Sequence, residues 1–257
     1  MNAQEMWVAY LTIVRKEINR FARLWLQTLV PPAITIALYF VIFGNLIGSR
    51  IGVMNGYSYM EFVVPGLIMM AVITNSYANI VSSFFGARFQ SYVEELLVSP
   101  TPNWIVLTGY VTGAVVRGLG VGVIVTGLSL FFTELQVHNL WVMISMVLLT
   151  SILFSLLGFI NAVFAESFDD ISVIPTFVLT PLIYLGGVFY SVDLLPQFWQ
   201  NVSMLNPILY MVNGFRYGIL GVSDINVTFA FAMSVTFIIV AWIYCMYLLN
   251  VGKKLRK

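Results

Sequence analysis

Charge is scarce in this chain: 9 % of its 257 residues are Asp, Glu, Lys or Arg, against roughly 25 % in an ordinary soluble domain. With 60 % hydrophobic residues and a mean hydropathy of +0.93, an ordinary soluble fold is excluded. The formal net charge of +1 leaves no global basic field of the kind that nucleic acid requires. The single cysteine, Cys245, lies in an apolar run without an intrachain partner, so there is neither a disulfide framework nor a Cys/His metal pattern. Packing is its expected role. The single histidine, His138, falls at a predicted membrane boundary and reads as interfacial rather than catalytic. No Ser/His/Asp constellation appears, and Gly44-Asn-Leu-Ile-Gly48-Ser-Arg50 lacks the spacing and the lysine of a phosphate-binding loop. We therefore expect no catalytic residue, metal or cofactor on this chain; if ATP drives it, the engine is another polypeptide. No internal repeat marks the inverted halves common in secondary transporters.

What is present is a series of apolar stretches. A bilayer crossing needs roughly 20 mainly apolar residues to span a core of about 30 Å. The charge-poor runs predict six crossings, at 24–48, 61–84, 104–132, 138–165, 171–190 and 225–251. The first is too long for a signal-peptide core and is expected to stay as a span. The expected fold is thus an all-α polytopic membrane protein, a single transmembrane domain over 1–257. Residues 192–223 do not fit a crossing, because Pro196, the Asn206-Pro207 break and Arg216 divide them into short pieces that read as re-entrant or interfacial helices.

Six spans place both termini on one side, and the positive-inside rule selects the cytoplasm. On that side stand Arg15, Lys16, Arg20 and Arg23, then Arg88, then the tail residues Lys253, Lys254, Arg256 and Lys257; the other side has only Arg50 and Arg216.

Two amphipathic stretches lie on the cytoplasmic side of this scheme. In 2–23, Trp7, Leu11, Val14, Ile18 and Phe21 form an apolar stripe that continues to Trp25. Arg15, Lys16, Asn19, Arg20 and Arg23 lie opposite, predicting an interfacial helix whose cations meet anionic membrane lipid. The second is a polar island at 84–104, where Phe85, Phe89, Tyr92, Val93 and Leu96 share one helical face and Arg88, Gln90, Ser91, Glu94 and Glu95 the other. Ser99-Pro100-Thr101-Pro102 stops that helix. A charged helix between two spans is placed to touch a soluble partner, although resting on headgroups is the plainer alternative.

Inside the spans, Arg117 is the costly residue, disfavoured by roughly 2.5–3.5 kcal/mol on insertion scales. It either bonds to a neighbouring helix or lines a pathway. Glu61 reads as an interfacial acid, and Asp169 and Asp170 as caps for the fifth span or as contacts for a cytoplasmic partner. Gly109/Gly113 and Gly118/Gly122 are close-packing spacings that serve contacts inside one chain or between two. Tyr184, Phe189 and Tyr190 suggest an aromatic belt or an outer gate.

Taken together, these features resemble the permease subunits of bacterial type-2 ABC (ABC-2) exporters over nearly the whole chain. The resemblance rests on Arg15-Lys16-Glu17, on Glu94-Glu95-Leu-Leu-Val-Ser-Pro100, and on Ala165-Glu-Ser-Phe-Asp169-Asp170. It rests also on Pro181, Gly186-Gly187, Phe189-Tyr190, Leu195-Pro196, Trp199, Asn206-Pro207, Tyr210 and Arg216 in the family's order. It implies a homodimer in the bacterial inner membrane with two copies of an ABC ATPase that carries the ATP and Mg. It also implies a coupling helix in 84–104, with Phe85, Arg88, Phe89, Glu94 and Glu95 as its contacts, and outer broken helices before the last span. The mostly apolar and aromatic spans suit a hydrophobic or amphipathic cargo; polysaccharide or glycolipid export is the alternative. A secondary transporter working without ATP and a non-transporting membrane scaffold are the rivals from other classes.

Overall fold

The computed structural model describes residues 1–252, leaving aside the side chains of Asn45, Leu46, Ser49 and Leu97. The basic tail at Lys253, Lys254, Arg256 and Lys257 lies outside the described residues. Among the described residues the only sheet is a short hairpin, Val53–Met54 against Tyr57–Ser58, and the remainder is helices and their connections. We number the main helices α1 (Ala3–Arg23), α2 (Trp25–Gly44), α3 (Tyr59–Phe89), α4 (Tyr92–Val98) and α5 (Asn103–Ser129). There follow α6 (Leu140–Phe164), α7 (Asp170–Leu185), α8 (Gln197–Met204), α9 (Pro207–Leu220) and α10 (Val227–Val251).

The bundle is built round α3, which packs most extensively on α6 and α5 and is buried over most of its length. Its 31 residues span about 46 Å, more than a bilayer core needs, so it projects beyond the apolar layer. Ser58 and Glu61 start it with a reciprocal capping box. Small residues let its neighbours close in. A side chain at Gly118 of α5 would collide with the Ser76 hydroxyl, which itself lies 2.7 Å from the Ser151 hydroxyl of α6.

Among the described residues, five helices, α2, α3, α5, α6 and α10, are long and apolar enough to cross a membrane. The expected fifth crossing is shorter than its sequence suggested: α7 ends at Leu185, giving 16 residues or about 24 Å. Gly186 and Gly187 turn the chain there, with Gly187 at a φ of +69°. Inside α7 the backbone widens to a π-type turn at Pro175–Leu179, just ahead of Pro181, a residue with no N–H to donate.

The broken segment consists of α8 and α9, parted where the Asn206 side chain accepts from the Ile208 N–H at 3.0 Å and Pro207 opens the next helix. α9 is enclosed by α6, α10 and α3. Arg216, counted on the outer side from the sequence, is fully buried within the bundle.

Candidate functional site

The amphipathic island is two helices rather than the single one expected. α3 runs on through Phe89, the chain turns at Gln90 and Ser91, and α4 follows. Ser91 takes the left-handed conformation at φ +63°, uncommon for a residue with a Cβ.

The end of α3 is fastened to the loop between α6 and α7. Arg88 Nη1 donates to the carbonyls of Ala162 (3.1 Å), Val163 (2.6 Å) and Ala165 (2.8 Å), the acceptors that the end of α6 leaves without helical partners. Phe168 packs on Phe85 at 5.0 Å and on Phe89 at 5.1 Å between ring centroids. Arg88 therefore faces this joint.

The same loop holds itself. Asp170 Oδ2 accepts from the N–H groups of Glu166 and Ser167, each at 3.0 Å, while its own N–H donates to the Ser167 hydroxyl at 3.1 Å. The Glu166 N–H, then the Ser167 groups, hold this carboxyl below its usual range. The bracing is fully present above the ordinary carboxylate range and fades as pH falls through the depressed value. Asp169 makes no side-chain cap. The structure thus joins Phe85, Arg88, Phe89 and the loop bearing Asp169 and Asp170 in one stiff unit. From it α4 presents Tyr92, Glu95 and Val98 as exposed side chains, with Glu94 partly covered.

Beside this unit, α1 lies on α5 and α3. Side chains at Gly109 and Gly113 would strike Ile13 and Glu17, so this glycine pair receives α1 within one chain. The buried face carries Ile13, Glu17 and Phe21, one step round from the stripe expected to enter lipid; Trp7 remains exposed. Glu17, the most enclosed of these, accepts from the Ser83 hydroxyl at 2.6 Å and from Arg20 Nη2 at 3.3 Å. Arg20 also donates to the Asn79 backbone oxygen (3.0 Å) and Oδ1 (2.9 Å). Glu17 stood in the sequence only as part of Arg15-Lys16-Glu17, and the local signal for its buried role is Arg20 three residues on.

Arg117 continues the polar layer, with Nη2 3.2 Å from Asn75 Oδ1 and 3.5 Å from the Thr28 carbonyl. Such a layer buries charge only because helix backbones and amides share it.

At the far end of the bundle, Phe189 sits among Phe43 (4.8 Å), Tyr184 (5.7 Å) and Tyr39 (6.1 Å), and the Tyr59 hydroxyl donates to its carbonyl at 3.1 Å. Tyr190 is partly buried beside it in sequence. Arg216, which the sequence offered only through the family's motif order, donates to the Gly187 carbonyl, to Phe62 O (3.3 Å) and to Asn213 Oδ1 (3.3 Å), its guanidinium over the Phe62 ring at 4.0 Å. Asp224 completes the cluster by accepting from the Ser191 hydroxyl (2.8 Å) and the Val192 N–H (3.0 Å). No group of His, Cys, Asp and Glu able to hold a metal occurs among the described residues.

The family model described as ABC-2 type transporter matches residues 8–220, from α1 to the end of α9. The chain is 61 % identical over 251 residues to the inner membrane transport permease YadH of Escherichia coli (strain K12), covering 97 % of this chain and 98 % of that protein. It is 24 % identical over 218 residues to nodulation protein J of Rhizobium leguminosarum bv. viciae, 83 % of each chain. With nodulation protein J of Rhizobium meliloti (strain 1021) it shares 26 % over 189 residues, 72 % of this chain and 71 % of that one.

Proposed function

The chain belongs to the ABC-2 type transporter family, and from that premise we propose that it is the membrane-spanning permease subunit of an ATP-driven exporter. In this reading it moves a hydrophobic or amphipathic compound, drug-like or lipid-like, across a bacterial inner membrane. A separate ABC ATPase supplies ATP hydrolysis, with two copies of each subunit in the assembly. Both termini face the cytoplasm, α7 makes the sixth and shortest crossing, and α8 and α9 form an outer re-entrant pair.

The observation that carries the proposal is the joint at the foot of α3. Arg88 on three carbonyls and the Phe85/Phe89/Phe168 contact turn α3, the end of α6 and the start of α7 into one lever. α4 is its exposed tip. Closure of the ATPase subunits on ATP presses α4, and the lever transmits the push to helices that surround the pathway. Glu94 and Glu95 dock against the ATPase, Asp169 and Asp170 flank that contact, and Arg117 and the aromatic group of Tyr184, Phe189 and Tyr190 lie along or close the route outward. Because aromatic faces also stack on sugar rings, that group supports polysaccharide or glycolipid as the alternative cargo.

The test is purification of the tagged chain co-expressed with the ABC ATPase from the adjacent reading frame. A complex of two copies of each, with vanadate-sensitive ATP hydrolysis, is the expected result; a lone, inactive chain would overturn it. Glu94→Arg combined with Glu95→Arg should lower cargo-stimulated hydrolysis at least tenfold while leaving the chain in the membrane. Unchanged hydrolysis and transport would sink the docking role of α4.

A further inference from the structure

Between α5 and α6, at the end of the bundle remote from α4, lies a groove of about 620 Å³, within the range of about 300–1,000 Å³ usual for small-molecule sites. Its walls are almost wholly apolar, with Leu119, Val123, Leu130, Ile144, Val147 and Phe215 among them. Gly127 leaves one wall low, since a Cβ there would meet nothing within 4 Å. Val137 and Ile219 also line a second cavity of about 280 Å³, and this one is polar: Glu61, Glu134, Gln136, His138 and Tyr57 surround it. An apolar slot therefore adjoins an acidic mouth. Neither is lined by Lys or Arg among the described residues.

The mouth is preformed. His138 N–H donates to the Ile219 carbonyl at 3.0 Å and Asn139 N–H to that of Gly218 at 2.8 Å, stitching the α5–α6 loop to α9. The Tyr57 hydroxyl donates to the Leu220 carbonyl from the other side. Glu61 spends Oε2 on the Ser58 N–H and hydroxyl, both at 2.8 Å, which leaves Oε1 for a ligand. Binding there orders little that is not already ordered.

An alkyl chain gains nothing by leaving lipid for an apolar groove, because lipid tails are equally apolar. Selection must come from the head. Two carboxylates with no lining Lys or Arg repel a phosphate and attract an ammonium. We infer that the groove and its mouth form a binding site for a cationic amphiphile, its alkyl chain between α5 and α6 and its ammonium group at Glu61 and Glu134. The site stands whether or not that amphiphile is the cargo.

The test uses the full chain in phosphatidylcholine nanodiscs with radiolabelled dodecyltrimethylammonium as probe. Saturable binding of one probe per chain is expected, undisplaced by neutral dodecyl maltoside. Glu61→Gln with Glu134→Gln, which preserves an acceptor for Ser58, should weaken it at least tenfold, and Gly127→Trp should remove it by filling the groove. Uptake equal to that of empty nanodiscs, equal displacement by the maltoside, or full affinity after both Gln changes would each overturn the proposal. Should Gly127→Trp fail to fold, the Gln pair decides alone.

Discussion

Arg216 and Arg20 lie in opposite halves of the bundle and are held in different ways. Arg216 is wholly enclosed, and two backbone carbonyls, the Asn213 amide and the Phe62 ring absorb its donors while Asp224 stands nearby. Its partners come from α3, from the turn after α7 and from α9 itself, so it adds a polar tie between three segments that also pack on one another. Arg20 keeps 29 % of its side chain exposed and pairs with the fully buried Glu17 on its own helix, reaching α3 through Asn79. One arrangement is a closed anchor; the other is a latch at the edge of the bundle. The difference teaches where motion is affordable: α9 cannot shift without stranding carbonyls, whereas α1 can slide and let water replace part of what Arg20 loses.

The contrast predicts a ranking. Arg216→Leu should be the most damaging change, since it strips the Gly187 carbonyl and the Phe62 ring of the guanidinium and leaves Asp224 without its nearby cation, while Asn213 keeps only Asp224 N–H and Leu209 O; the cost is on the order of 3–5 kcal/mol. That corresponds to a fall in apparent Tm in detergent on the order of 10 °C. Arg216→Lys should recover little, because one ammonium lacks the guanidinium's fork of donors. A Tm within 2 °C or so of the parent for Arg216→Leu would break the anchor reading. Glu17→Leu should come next, at roughly 2 kcal/mol, because Ser83 loses its partner but Arg20 retains Asn79 and partial access to solvent. Here the sharper measurement is protease cleavage at the α1–α2 junction, which should accelerate in Glu17→Leu and not in Arg216→Lys.

How far these two arrangements were legible follows from where their partners lie. The apolar runs, the broken pair α8 and α9 and the amphipathic character of α1 and the island were readable, because each is a local periodicity or a proline. The burial of Arg216 was not readable because its main acceptors are carbonyls of Phe62 and Gly187, which carry no side-chain signal and lie far away in the chain. The burial of Glu17 was hidden for a related reason: its hydroxyl partner is 66 residues distant. The turn at Ser91 escaped because a serine at positive φ offers none of the hint that glycine would. The fastening of Arg88 to the end of α6 was likewise invisible, since a helix terminus presents its carbonyls only after both helices are in place. The charged face of the island was readable, but its split into a braced half and an exposed half was not.

The smallest expected effect tests whether the latch depends on shape or only on charge. Arg20 reaches Glu17 and both oxygens of Asn79 through Nη2, and Ser82 at 3.4 Å through Nη1. A lysine in its place keeps the cation near Glu17 but reaches fewer of these acceptors, because its three donors radiate from one atom. The pair is partly exposed, so screening limits the loss to under about 1 kcal/mol. Arg20→Lys should therefore leave Tm nearly unchanged while still speeding cleavage beside α1 by about twofold to fivefold, the range that such an energy sets. Arg20→Gln should speed it further. If Lys and Arg protect α1 equally, the latch is a matter of net charge and α1 is held chiefly by the Ile13 and Phe21 packing against α5 and α3. If Lys performs as poorly as Gln, the forked geometry around Asn79 is what holds α1, and a movement of α3 at Asn79 would release it.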